Sequence, residues 1–272
     1  MTDRVTDRRF RRDGWDAGVR IGVVVPHADA GPEAELQAMA PPQVSLHASR
    51  LYFGAMRAGG VMDPKIPHRP VQAFTDEPYL DDAVELLAAA PLDVIALGFT
   101  SSSYKHGVAG EQALLQRLST RARGMPLVST CLAATHALRA LGARSLALVN
   151  PPWFDAELND LGAEYFTDQG IDVLHHAPSG LPSSQADIVP GLLFDWITSV
   201  AGAADAVFVA GNGQRAVGIV DALETALGIP VLTANQVLLW ESLHAVGSVG
   251  SAVVVSGYGR LFAATPALVA VG

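Results

Sequence analysis

Asp93-Val-Ile-Ala-Leu-Gly98, a polar loop, a helix-length segment, Gly124-Met-Pro-Leu-Val-Ser-Thr130 and a second helical segment ending in Leu138-Arg-Ala-Leu-Gly142 follow one another in that order. The order then recurs: Asp205-Ala-Val-Phe-Val-Ala-Gly211, loop, helix, Gly228-Ile-Pro-Val-Leu-Thr-Ala234, and a helix ending in Leu243-His-Ala-Val-Gly247. Two unrelated βα stretches would share the alternation, but not also the paired Gly-x-Pro and the terminal glycine, so the chain reads as a duplication. Each apolar run is continuous, as expected of strands buried on both faces of a parallel sheet. Comparable runs occupy Arg20 to Pro26 (RIGVVVP), Ser145 to Val149 and Ile171 to Leu174. Glu111 to Arg121 and Ala216 to Leu227 carry apolar residues at helical spacing. Strands alternating with helices of roughly 10–15 residues make βαβ units. The expected fold is α/β: two related α/β halves with mostly parallel sheets, facing each other across a crevice at their strand C-termini. The expected boundaries are a polar arm over residues 1–17, a first domain over 18–133 plus 235–272, and a second over 134–234.

The 272 residues suit one large domain or two small ones, and with half of them apolar the chain can bury a core, which excludes disorder. Apolar runs such as Ile21 to Val25 and Val253 to Val255 fall far short of the roughly 18 residues of a bilayer helix, so no membrane span is expected. A net charge of −9 argues against nucleic acid, whose phosphates require a basic surface. The single cysteine, Cys131, allows neither an internal disulfide nor a Cys/His zinc set, and no metal site is expected. The N-terminus is polar, carries Arg4, Arg8, Arg9, Arg11 and Arg12, and lacks an apolar signal core. That points to a cytoplasmic protein whose arm is solvated or forms a contact in a homo-oligomer.

In such a fold the chemistry lies in the loops after the strands. After Leu97 comes Gly98-Phe-Thr-Ser-Ser-Ser-Tyr-Lys-His-Gly107, whose hydroxyls, Thr100 and Ser101 among them, precede a helix N-terminus that favours anions. After Val209 comes Ala210-Gly-Asn-Gly-Gln-Arg215, a turn offering the Asn212 and Gly213 amides, with Arg215 for a carboxylate. Neither loop has GxGxxG, a P-loop or an acidic ribose-binding signature, so no nucleotide cofactor is expected. Pro26-His-Ala-Asp29 closes the first strand and brings His27, a candidate to move a proton. His136 and His244 read as packing residues in helices, and the adjacent His175 and His176 cannot chelate from one face of a strand. Cys131 opens a helix, where a thiolate is stabilised; it equally suits a small residue filling a strand–helix corner.

Val23-Val-Val-Pro26, Gly98-Phe-Thr-Ser101, Leu138-Arg-Ala-Leu-Gly142, Asn235-Gln236 with Trp240, and Gly257-Tyr-Gly-Arg-Leu-Phe262 together resemble the aspartate/glutamate racemase superfamily, in its branch of maleate cis-trans isomerases and arylmalonate decarboxylases. The likeness runs from Arg20 to Phe262. It implies two Rossmann-like domains related by a pseudo-two-fold axis, clasping a small carboxylic acid without a cofactor. It also implies cysteines at two strand ends, and a Thr-Ser pair, here Thr100 and Ser101, that holds a carboxylate or enediolate oxygen. The chain departs from the family at the thiols. Phe99 stands where the first would be, and Gly211 and Asn212 stand at the second. Pro152 or Trp153 replaces a tyrosine of the decarboxylases.

Two-base racemisation needs both thiols and is set aside; an adduct isomerisation would have to recruit Cys131. The expected function is a cofactor-independent enzyme that forms an enolate-type intermediate from a small carboxylic acid, foremost a malonate-type decarboxylase. The alternatives are a maleate-like cis-trans isomerase and a carboxylate-binding protein that has lost catalysis. Phe99, Trp153 and Leu239 are expected to wall the substrate, Thr100, Ser101 and the Asn212 and Gly213 amides to hold its oxygens, and Pro26, Gly211, Arg215 and Asn235 to complete the binding set. His27, Tyr104, Lys105 or a water would deliver the proton.

Overall fold

The computed structural model describes residues 13–265, so the five arginines of the arm lie outside the described residues. Along the chain, β1 (Val19–Pro26), α1 (Gly31–Met39) and β2 (Val44–Leu51) precede a small antiparallel hairpin, β3 (Met56–Arg57) and β4 (Val61–Met62), and two helices, α2 (His68–Ala73) and α3 (Tyr79–Ala88). Then come β5 (Val94–Leu97), α4 (Thr100–Ser119), β6 (Leu127–Ser129) and α5 (Thr130–Ala140). The second half holds β7 (Ser145–Asn150), α6 (Ala156–Asp168), β8 (Asp172–Pro178), α7 (Pro190–Val200), β9 (Ala206–Val209), α8 (Val220–Leu227) and β10 (Val231–Thr233). Two helices follow, α9 (Ala234–Ala245) and α10 (Ser248–Ser251).

Two four-stranded sheets result, ordered β2-β1-β5-β6 and β8-β7-β9-β10, with every neighbouring pair in them parallel. The orders are the same topology written twice, as the duplicated sequence pattern implies. The match extends to individual bonds. Gly98 N–H donates to Val24 O and Ala210 N–H to Val149 O, both at 2.9 Å; Asp29 N–H donates to Pro26 O and Phe154 N–H to Pro151 O, both at 3.1 Å. Pro26 thus corresponds to Pro151, Asp29 to Phe154, Phe99 to Gly211, and Thr100 to Asn212.

The central strands β5 and β9 are buried along their whole length and β1 at all but one position, which is why they read as unbroken apolar runs. The outer strands are more open: β2 is buried only at Val44 and Leu51, β8 alternates between exposed and half-buried residues, and β8 runs to Pro178, past the expected end at Leu174. Thr130 starts α5 instead of ending β6. Ala216 to Leu227 is a 3-10 turn at Val217–Ile219 before α8. The hydroxyl-rich segment after β5 is not a loop: α4 begins at Thr100 and kinks at Gly107, where φ is +63°. Those hydroxyls are satisfied inside a helix, Ser102 donating to Val71 O at 2.9 Å and Ser103 to Glu111 at 2.6 Å. Helix α9 opens on a reciprocal cap, in which the Thr233 side chain accepts from Gln236 N–H and the Gln236 side chain from Thr233 N–H. No helix among the described residues is long and apolar enough to cross a membrane.

Candidate active site

Four strand ends meet at one cleft: Pro26 and Asp29 after β1, Gly98 to Ser101 after β5, Trp153 and Phe154 after β7, and Gly211 to Gly213 after β9. The segment between β2 and β5 roofs it with Phe53, Met56, Met62, Ile66 and Phe74. Phe74 packs edge-on against both Phe53 and Phe99, at centroid distances of 5.4 and 4.8 Å. The roof belongs to the first half but is tied to the second. Lys65 Nζ donates to the carbonyls of Pro152 and Phe154, each at 2.7 Å, and Ile66 N–H donates to Trp153 O at 3.0 Å.

The floor is a chain of buried hydrogen bonds between the halves. Thr100 Oγ1 donates to Asn212 Oδ1 at 2.9 Å and accepts from Gly211 N–H at 3.1 Å, so the two equivalent positions bond each other. Asn212 Nδ2 donates to Asn235 Oδ1 at 3.0 Å, and Asn235 Nδ2 to Glu35 Oε2 at 2.8 Å. Glu35 Oε1 accepts the amides of Ala216 and Val217 at 2.6 and 3.0 Å. Burial pushes the Glu35 carboxyl up from its ordinary range, against the pull of these donors.

Eight of the twelve expected site residues line the cleft: Pro26, Phe99, Thr100, Ser101, Trp153, Gly211, Asn212 and Gly213. Four do not. Tyr104 is 1% exposed and donates to Asn150 Oδ1 at 3.2 Å, because the first turn of α4 carries it onto α6, where its ring packs against Gly162. His27 is outside the lining; its Nδ1 accepts Phe53 N–H at 3.1 Å and its ring lies 4.9 Å from that of Tyr52. Arg215 is exposed beyond the turn, away from the lining. Asn235 supports the floor from behind through Asn212. Leu239, expected in the wall, and Lys105, held by His68 and Glu157, are also outside the lining.

Cys131 is fully buried, and burial, reinforced by the neighbouring Glu111, holds its thiol well above the ordinary range. That environment disfavours a thiolate nucleophile and suits the corner-filling role. Nor is there room for a thiol at Gly211. Its φ is +85°, and a Cβ there would lie 2.2 Å from Pro151 Cγ.

Asp29 is the residue that sequence reasoning passed over. It lines the cleft at 3% exposure, with Oδ1 accepting Gly31 N–H and Oδ2 accepting Gln185 Nε2, both at 2.8 Å. Burial raises its carboxyl above the usual range, opposed by those two donors and by Arg50. An acid three residues past a strand end, with Gly31-Pro32 beginning two residues on, is a local signal of a side-chain-capped turn. Its place in the cleft rests on Gln185, which is remote in the sequence.

Behind the cleft a third buried acid, Glu111, accepts from Ser103 Oγ at 2.6 Å and from Tyr165 Oη. Burial again raises its carboxyl. A carboxyl that keeps its proton to higher pH in the fold than in the unfolded chain stabilises the fold below the ordinary carboxylate range. That contribution is lost as pH rises through the raised value. Glu111→Gln can keep both contacts without titrating, its Oε1 accepting from one hydroxyl and its Nε2 donating to the oxygen of the other. Its melting temperature is expected to match the parent's near about pH 5 and to exceed it increasingly toward about pH 8; a gap that does not change with pH would refute the assignment.

Two parallel sheets of one topology, joined at their C-terminal edges around a cleft, place the molecule among the duplicated α/β proteins of the aspartate/glutamate racemase superfamily. The chain belongs to the arylmalonate decarboxylase family, which it matches over residues 21–262. It is similar to an arylmalonate decarboxylase of Bordetella bronchiseptica, 27% identical over 179 residues that cover 62% of this chain and 70% of the other. Among solved structures, a maleate isomerase of Pseudomonas putida with maleate superposes with a TM-score of 0.76 at 20% identity, covering 91% of this chain and 98% of that one. A liganded double mutant of arylmalonate decarboxylase gives 0.76 at 23% identity, covering 90% and 98%. A Nocardia farcinica maleate cis-trans isomerase carrying a covalent succinylcysteine gives 0.75 at 21% identity, covering 90% and 98%.

Proposed function

We propose that the protein is a cofactor-independent decarboxylase of a malonate-type acid bearing an apolar, ring-sized substituent. The observation that carries this reading is the composition of the cleft. Apolar and aromatic side chains form its roof and walls, hydrogen-bond donors gather at the Thr100 and Ser101 amides, the Ser101 hydroxyl and the Asn212 and Gly213 amides, and no lysine or arginine is among its lining residues. Decarboxylation needs one carboxylate held by donors and the other turned against an apolar surface, where loss of hydration favours departure of CO₂. The enediolate left behind gathers charge on the held oxygens, so donors fixed there act most strongly in the transition state. The first turn of α4 has no side-chain cap, which leaves its amides free for those oxygens. The Bordetella relative's name, arylmalonate decarboxylase, agrees with a ring-bearing substrate.

A maleate-like diacid would need both carboxylates held at once, and the adduct route needs a thiolate. The cleft offers one cluster of donors, and the buried Cys131 is outside the lining. The discriminating experiment is turnover: CO₂ release from phenylmalonate and alkylmalonates against conversion of maleate to fumarate. Isomerisation of maleate with every malonate inert would overturn the decarboxylase reading, and no turnover of either would leave the carboxylate-binding protein. Ser101 is half-buried at the cleft. Ser101→Ala is expected to lower kcat about 100-fold while leaving the melting temperature close to the parent's, the signature of a lost oxyanion donor.

A further inference from the structure

We propose that Asp29 is the acid that protonates the reacting carbon. The role rests on the decarboxylase reading, which leaves a carbanion-like intermediate and names no donor. Of the residues lining the cleft, Asp29 alone has an ionisable carboxyl, imidazole or amine. The candidates His27, Tyr104 and Lys105 all lie outside the lining. Its carboxyl also sits at the turn where the resemblance places the second thiol: a Cβ on Gly213 would fall 2.7 Å from Asp29 Oδ2 and 1.9 Å from Gln185 Nε2. Glycine at 213 is what lets the acid and its amide partner reach this place. Across the cleft the equivalent position is Phe154, an apolar ring that cannot exchange a proton.

The step balances without another reactant. The bond from the α-carbon to the leaving carboxylate breaks, CO₂ departs, and the electron pair passes into the enediolate. The O–H bond of Asp29 then breaks as a C–H bond forms, giving the monocarboxylate product and an ionised Asp29, which regains a proton from water. The acid must therefore be protonated at the start of each cycle. Its burial favours that form, and a bound malonate adds negative charge that favours it further. The charged groups facing Asp29 are Arg50 from β2, whose guanidinium donates to Asp29 O at 3.0 Å, and Glu33 and Glu35 from α1. From the second half it meets only the neutral Gln185 and the Gly213 backbone among the described residues.

The test is the pH dependence of phenylmalonate turnover in the parent, Asp29→Asn and Gln185→Leu. Asparagine can keep the bond from Gly31 N–H through its Oδ1 and, with the Gln185 amide turned over, donate its Nδ2 to Gln185 Oε1, so Asp29→Asn is expected to melt close to the parent yet lose at least about 100-fold in kcat. The parent's kcat is expected to fall tenfold per pH unit above one apparent pKa, and that limb to vanish in Asp29→Asn. Gln185 donates to the ionised carboxyl and so favours it; Gln185→Leu should move the limb to higher pH. An active parent whose Asp29→Asn variant works within tenfold of it, or whose limb stays put in Gln185→Leu, removes Asp29 from the chemistry and leaves the decarboxylase reading standing. A parent inert to every malonate overturns that reading and this role together.

Discussion

Thr100→Val is expected to lower kcat by about two to three orders of magnitude and to lower the melting temperature as well. Valine fills nearly the same volume but has no hydroxyl. In this buried site Gly211 N–H then loses its acceptor, Thr100 Oγ1, and Asn212 Oδ1 keeps only the longer contact from Thr130 Oγ1 at 3.3 Å. Each unsatisfied group costs about 1–3 kcal/mol. The catalytic loss has a separate origin, because in the proposed reaction the Asn212 and Gly213 amides of this turn hold the developing charge. A turn released from Thr100 no longer aims them. Thr100→Ser keeps the hydroxyl and is expected to stay within tenfold of the parent in kcat. A Thr100→Val variant that melts early yet turns over at the parental rate would reduce Thr100 to scaffold.

At the far end of the same chain, Glu35→Ala is expected to give the largest loss of stability. The Glu35 carboxylate accepts three buried donors, the amides of Ala216 and Val217 and the Asn235 side chain. Removing it orphans all three at about 1–3 kcal/mol each, so a loss of roughly 3 kcal/mol or more is expected out of the 5–15 kcal/mol of a typical domain. A denaturation midpoint measures it. Glu35→Gln retains one acceptor oxygen and should lose less than Glu35→Ala. A Glu35→Ala variant as stable as the parent would mean that water replaces the carboxylate there.

The duplicated pattern made the topology readable before any coordinate. β5 and β9 are buried on both faces and show no alternation to confuse with a helix, and the Gly-x-Pro punctuation fixed which segments correspond. The edge strand β8 reads short because its apolar run stops at His175-His176, whereas at a sheet edge the exposed face, here Asp172, Leu174 and His176, needs no apolar side chain. α4 was read as starting too late because serine and threonine favour turns by bonding to nearby backbone. Here long-range partners, Val71 O and Asn212 among them, satisfy those side chains within the helix. In the site, most of the residues at the strand ends line the cleft, but His27 and Arg215, in the same turns, do not. Tyr104 and Asn235 lie close to it in sequence but are turned into the packing by the helices that carry them. In the turn after β1 the sequence favours His27 over Asp29 as the titratable group. Nothing local distinguishes a surface aspartate from one capped by Gly31 and covered by Gln185.

The equivalence of Asp29 and Phe154 bears on the shape of the product. A planar intermediate lying between them presents two enantiotopic faces, one toward a carboxyl and the other toward a ring. Proton transfer then comes from one side only, and a prochiral malonate gives a product of one configuration. The fold itself is nearly indifferent to left and right, since each half repeats the other's strand order. Handedness enters where the copies differ: it records which of them carries the acid.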